Sequence, residues 1–211
     1  MKILSHRGLW RRSKDQNSLR ALRQAFEAGF GIETDIRDFN ESLIISHDPT
    51  CEKSMALETL FREYTKGGHG VPLALNLKSC GLKPELKRLI GKYSIKNYFL
   101  FDAVVPDALS YVKSKMRVFT RQSEYETLPS FYAEASGVWL DEFHSHWIDK
   151  KIIYRHFSNG KRVCLVSPEL HGRRVVNEWK DYKAIEKQAG FEELMICTDF
   201  PERAEAFFNE K

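Results

Sequence analysis

The stretch from Gly31 to Asp48, G-I-E-T-D-I-R-D-F-N-E-S-L-I-I-S-H-D, alternates in its first half. Successive side chains of an extended chain take opposite faces. Ile32, Thr34 and Ile36 therefore fall on one side and Glu33, Asp35 and Arg37 on the other. Two carboxylates on one face repel each other and favour the uptake of a proton. A hard divalent cation relieves that repulsion, and Mg²⁺ or Ca²⁺ takes oxygen ligands of this kind. The second half runs through the apolar residues Leu43 to Ile45 and ends on His47 and Asp48. Histidine is the side chain best suited to proton transfer near neutral pH. Spacing alone leaves a second reading open, in which the E-x-D pair is a solvated strand face and H-D a surface turn.

Outward from this stretch the chain alternates between strand and helix patterns. Strands are expected at Lys2 to His6, Gly31 to Asp38, Pro72 to Ser79, Tyr98 to Val104, Arg117 to Arg121, Gly137 to Phe143, Arg162 to Ser167 and Leu194 to Thr198. Asn40 and Glu41 make a turn into an extended piece, Leu43 to Ser46. Helices are expected at Ser18 to Gly29, Ala56 to Thr65, Pro84 to Tyr93, Pro106 to Lys113, Ile148 to Phe157, Val175 to Ala189 and Glu202 to Asn209, with a short one after Arg121. In the first of these Leu19, Leu22, Ala25 and Phe26 recur at helical spacing, Ser18 can cap it and Gly29 closes it. Strands separated by helices pair in parallel through right-handed crossovers, and eight such units suggest a single-domain α/β protein over residues 1–211, a (β/α)₈ TIM barrel. Active sites of that fold lie at the C-terminal ends of the strands. Polar residues gather there: His6, Arg7, Glu33, Asp35, Asn76, Lys78, Asp102, Arg121, Asp141, Glu142, Glu169 and Asp199.

Composition narrows the function class. The chain has 211 residues, 42% hydrophobic and 29% charged, and a net charge of +4. That mild basicity suits a phosphate-bearing substrate. Its lysines and arginines interleave with acids, which argues against nucleic acid. The four cysteines, Cys51, Cys80, Cys164 and Cys197, form no C-x-x-C pair, so no zinc or redox motif is expected. The N-terminus turns polar by Ser5, unlike a signal peptide, and no apolar run reaches membrane-spanning length, so a cytoplasmic location is expected.

These pieces resemble the glycerophosphodiester phosphodiesterases, a family of (β/α)₈ barrels. The matching segments are S-H-R-G at 5–8, N-S-L at 17–19, G-F-G-I-E-T-D-I-R at 29–37, L-I-I-S-H-D at 43–48, L-N-L-K at 75–78 and T-D-F-P-E at 198–202. They occur in the family's order and span nearly the whole chain. The resemblance implies metal-dependent cleavage of a small phosphodiester. It implies that His6 and His47 are the catalytic pair and that Glu33 and Asp35 are metal ligands. Arg7 and Lys78 would face the phosphate.

The chain departs from the family's pattern at three places. Asn76 stands where the family has its third metal-binding carboxylate, a glutamate, so that ligand brings no charge. Asp102, on the next strand, is a candidate to supply the missing carboxylate. Gln16 stands where the family has a glutamate, and the segment between His47 and Pro72 is short. Arg121, Glu142 and Glu169 are placed for substrate contact by strand position, although each fits an inter-strand salt bridge equally, and Asp102 is a further candidate for substrate contact. Asp48 is expected to orient a neighbour rather than act itself. His144 and His146 are expected to be exposed polar residues, and His69 a loop residue. An alternative function is a non-catalytic relative that binds a phosphorylated small molecule.

Overall fold

The computed structural model describes residues 1–49, 54–68, 70–189 and 193–210. Cys51, His69 and Gly190 lie outside the described residues. The chain forms two compact units, Ser5–Val118 and Met1–Leu4 with Phe119–Lys211.

The first unit carries the end of β1 (Lys2–His6), α1 (Leu19–Glu27), β2 (Gly31–Phe39), β3 (Ser42–Ile45), β4 (Met55–Ala56) and α2 (Leu57–Gly67). It continues with β5 (Leu73–Leu77), α3 (Lys83–Lys92), β6 (Tyr98–Phe101) and α4 (Val105–Lys113). β2 pairs in parallel with β5, and β5 with β6. A parallel bridge joins Leu100 to Val118. β3 is an addition to the parallel set: it folds back antiparallel on β2. The link is Asn40-Glu41, with φ of +46° and +61°, the left-handed pair that a two-residue hairpin turn of matching twist requires.

Helix α1 forms where the apolar spacing places it. The Ser18 hydroxyl accepts the Ala21 N–H at 3.2 Å, and Ala21, Leu22, Ala25 and Phe26 are buried. Its Phe26 ring meets Tyr64 of α2 edge-on at 5.6 Å.

The second unit carries β7 (Phe119–Gln122), β8 (Gly137–Leu140), α5 (Lys150–Ser158), β9 (Arg162–Val166), α6 (Val176–Ala189), β10 (Met195–Thr198) and α7 (Pro201–Asn209). β7, β8, β9 and β10 pair in sequence, all parallel, and Lys2 N–H donates to Leu194 O at 2.8 Å. Trp179 is buried here; its indole N–H donates to Ser167 Oγ at 2.8 Å and its ring packs on Phe207 and Phe208. The eight strands β1, β2, β5, β6, β7, β8, β9 and β10, joined through helices except between β7 and β8, are those of the (β/α)₈ class expected from the sequence. Among the described residues no helix is long and apolar enough to cross a membrane.

Three local expectations need correction. No helix follows Arg121: residues 123–136 form turns. Pro129 disfavours helix at the residue before it, and the Glu124 carboxylate is drawn away to accept the backbone N–H groups of Phe143, His144 and Ser145. β6 stops at Phe101, because Asp102 turns to φ +62°. β8 stops at Leu140, so Asp141 and Glu142 lie beyond the strand, where Asp141 bonds His171 and Glu142 accepts the N–H groups of Trp147 and Ile148.

One buried histidine gives the second unit a pH dependence. His156 accepts at Nδ1 from the Tyr132 hydroxyl (2.9 Å) and donates from Nε2 to Gln122 Oε1 (2.8 Å). Burial, helped by the adjacent Arg155 charge, pushes its pKa down from 6.5 to about 4. The unfolded chain therefore binds a proton between those values that the folded chain refuses, and stability falls as pH drops through that window. The expected loss from this group is about 3 kcal/mol between pH 7 and pH 4. Urea denaturation across that range checks it, and His156→Gln should flatten the pH dependence.

Candidate active site

The residues singled out on the first unit's strands come together at the C-terminal ends of β1, β2 and β5. β2 places Glu33 and Asp35 on one face, and both are buried, at 2% and 0% exposure. Its parallel register with β5 sets Asp35 beside Asn76. Register partners in adjacent strands share a face, so Asn76 joins the carboxylates. The Lys78 N–H donates to Ile36 O, which carries the lysine one step further, and Lys78 Nζ stands 3.4 Å from Asp35 Oδ1. At the end of β1, His6 Nε2 lies 3.7 Å from Glu33 Oε2, and Arg7 Nε lies 2.9 Å from Asp35 Oδ2. Arg7 thus pairs with Asp35, and its Nη1 donates to Gln16 Oε1 at 3.2 Å.

Three oxygens in this cluster are buried and accept no hydrogen bond: Glu33 Oε2, Asp35 Oδ1 and Asn76 Oδ1. Leaving a buried acceptor unpaired costs roughly 1–3 kcal/mol, and more when it is charged. Burial, then the neighbouring Asp35 charge, push the Glu33 carboxyl up to about 7, against the pull of His6, Arg7 and Lys78. Two carboxylate oxygens and an amide oxygen, buried and accepting no hydrogen bond, are a donor set that fits a hard divalent cation.

His47 reaches the site by a different route. The β2–β3 hairpin returns the chain so that the Ser46 N–H donates to Asp35 O at 3.1 Å. Arg37 then clamps the next residue, donating from Nε and Nη2 to His47 O at 3.1 Å. The imidazole is exposed, and its Nδ1 lies 2.8 Å from Asp48 Oδ1. An acceptor-only carboxylate there selects the Nδ1–H tautomer and leaves Nε2 able to take a proton. His47 and Asp48 line a cleft of about 560 Å³ with Arg7, Gln16, Asn17 and Met55.

Asn17 is a member that sequence reasoning missed, although the N-S-L segment contained it. Its side chain bonds Asp35 and Thr34. Arg7, Asn17 and Asp102 all take left-handed backbone, with φ of +58°, +56° and +62°, a strain that concentrates at functional sites. Asp102 lies one residue past Phe101, the register partner of Asn76.

Other expected members belong to the second unit. Arg121 lies 3.7 Å from Glu126 and over the Phe143 ring. The Glu169 carboxylate accepts from the Ser167 and Thr198 hydroxyls and from the Asp199 N–H. His146 bridges Glu142 and Asp181, while His144 is exposed against Tyr125. Glu142, His146 and Glu178 bring ligand atoms within 4.8 Å of one another. That cluster already holds a cation: Arg173 Nη2 is 2.5 Å from Glu178 and 3.5 Å from Glu142. Glu142 is further saturated by two backbone N–H groups and the Tyr182 hydroxyl.

Fold and site together define an α/β barrel with a carboxylate and histidine cluster at the strand ends. No protein-family model and no curated protein matches the chain. Solved structures do. One from Galdieria sulphuraria, provisionally assigned as a glycerophosphodiester phosphodiesterase, has TM-score 0.76 and 21% identity over 99% of this chain and 98% of its own. An Oleispira antarctica phosphodiesterase in complex with its product sn-glycerol-3-phosphate has TM-score 0.69 and 14% identity, over 100% and 97%. A Ca²⁺-dependent phosphatidylinositol-specific phospholipase C from Streptomyces antibioticus has TM-score 0.61 and 9% identity, over 99% and 96%. At these identities the likeness establishes the fold.

The loop that presents Arg7 depends on Gly8. Its φ is +89°, and an added Cβ would sit 2.8 Å from the Ala21 backbone carbon and 2.9 Å from Leu22 N. Gly8→Ala therefore forces α1 away from the loop. A loss of at least about 1 kcal/mol is expected in urea denaturation.

Proposed function

We propose that this chain is a metal-dependent phosphodiester hydrolase of the glycerophosphodiester phosphodiesterase kind, one barrel domain over residues 1–211 with a small phosphodiester as its substrate. The observation that carries the reading is the set of three buried oxygens on Glu33, Asp35 and Asn76 that accept no hydrogen bond, with Arg7, Lys78 and His6 around it. The structural neighbours that are phosphodiesterases support it. A cytoplasmic location belongs to the same reading.

Glu33, Asp35 and Asn76 would hold the cation, Mg²⁺ or Ca²⁺. When bound, it supplies Lewis-acid neutralisation of phosphate charge. Arg7 and Lys78 add positive charge where the phosphate gains negative charge in the transition state. His47, its Nδ1 held by Asp48, takes the proton of the attacking hydroxyl at Nε2. His6 gives a proton to the leaving oxygen. Each transfer contributes roughly 10²–10⁴-fold.

Hydrolysis of a chromogenic phosphodiester tests the reading. Activity should vanish in EDTA and return with Mg²⁺, Ca²⁺ or Mn²⁺, and His6→Ala and His47→Ala should each lower kcat by about 10²-fold or more. A folded protein inactive with every metal would instead be a binder of phosphorylated ligands.

The third ligand is tested separately. Asn76→Ala should weaken cation binding about tenfold in calorimetry, while Asp102→Ala leaves it unchanged. A larger loss with Asp102→Ala would move the third ligand to the residue after β6.

A further inference from the structure

The neighbours of Asp35 treat its two oxygens differently. Oδ2 accepts from Asn17 Nδ2 at 3.0 Å and lies 2.9 Å from Arg7 Nε. Oδ1 is buried, accepts no hydrogen bond and stands 3.4 Å from Lys78 Nζ. The Asn17 amide cannot be reversed. A carboxylate only accepts, so the NH₂ group must face Asp35. The amide oxygen in turn accepts the Thr34 hydroxyl at 2.8 Å, and Thr34 is fully buried. The Asn17 backbone is fixed as well, at φ +56° with its N–H donating to Arg7 O at 2.8 Å. Asparagine is among the few residues that tolerate this conformation. One side chain thus grips two consecutive residues of β2, whose own side chains leave the strand on opposite faces.

We infer that Asn17 is a positioning residue for the divalent-cation site: with Arg7 it occupies Asp35 Oδ2 and so leaves Oδ1 as the single oxygen through which Asp35 would ligate, with Glu33 Oε2 and Asn76 Oδ1. The inference rests on the metal-site reading above and specifies how that site is built. Without the amide, Arg7 alone holds Oδ2, and the Asp35 carboxylate turns more easily. Arg7 and Lys78 are the cations within reach, and either competes for the oxygen the metal needs. Partners that orient a metal ligand typically contribute 10–100-fold to affinity.

The test measures Mn²⁺ binding to the substrate-free protein by calorimetry, with the electron-spin-resonance signal of free Mn²⁺ as a second readout. Asn17→Gly deletes the amide and keeps a residue at ease with positive φ. It should bind Mn²⁺ roughly 10–100-fold more weakly and still melt cooperatively in EDTA. Thr34→Val keeps the shape of the side chain and removes only the anchor of the amide oxygen. It should show a smaller loss in the same direction, and the double variant should bind no more weakly than Asn17→Gly alone. Saturating Mn²⁺ should restore most of the hydrolysis of the chromogenic diester, which loss of a catalytic group would not allow. If wild type binds Mn²⁺ and neither folded variant is weakened, the role of Asn17 is overturned and the metal site stands. If wild type binds no Mn²⁺, both fall. Thr34→Val decides the matter if Asn17→Gly does not fold.

Discussion

The first unit is arranged around an unfavourable pairing. Glu33 and Asp35 are buried side by side on β2. Two carboxylates in that position are costly, and the shift of the Glu33 carboxyl to about 7 is the sign of it. Nearby elements answer the cost. β1 brings His6 and Arg7, β5 brings Asn76 and Lys78, and the turn before α1 brings Gln16 and Asn17. Even so, three oxygens accept no hydrogen bond. A fold that tolerates such a set gains from filling it with a cation.

Some of the left-handed backbone lies in the same place, although Asn40, Glu41, Ser94, Lys115 and Phe131 hold it elsewhere. Arg7, Asn17 and Asp102 hold left-handed backbone at the ends of β1 and β6 and ahead of α1. Gly8 permits the close approach of the first loop to α1, next to the Arg7 that pairs with Asp35. The loop's shape is thus set by packing against a helix, and its function by what that shape presents.

Much of this was legible in the sequence, because the decisive signals were local. Alternation along 31–36 is enough to put both carboxylates on one face, and the helical spacing of Leu22, Ala25 and Phe26 marks the buried side of α1. Pattern could not reveal which groups answer which. Asn17 lies 18 residues from Asp35 and bonds it only through a tertiary approach. Gln16 read as a departure from a family pattern, and its amide oxygen instead receives Arg7. The expected helix after Arg121 failed for a similar reason. Glu124 spends its carboxylate on three backbone N–H groups about twenty residues away, a partner that periodicity cannot see.

The β2–β3 hairpin has a consequence for how this chain can vary. Its two-residue turn sets the count of residues between Asp35 and His47, and the Arg37 clamp on His47 O depends on that count. Adding or deleting a single residue in β3 would carry every later side chain of that strand to its opposite face. The histidine would then point away while the carboxylates stayed in place. Length changes in this hairpin should therefore be tolerated only in pairs, even though the turn itself is on the surface and asks only for residues that accept left-handed backbone.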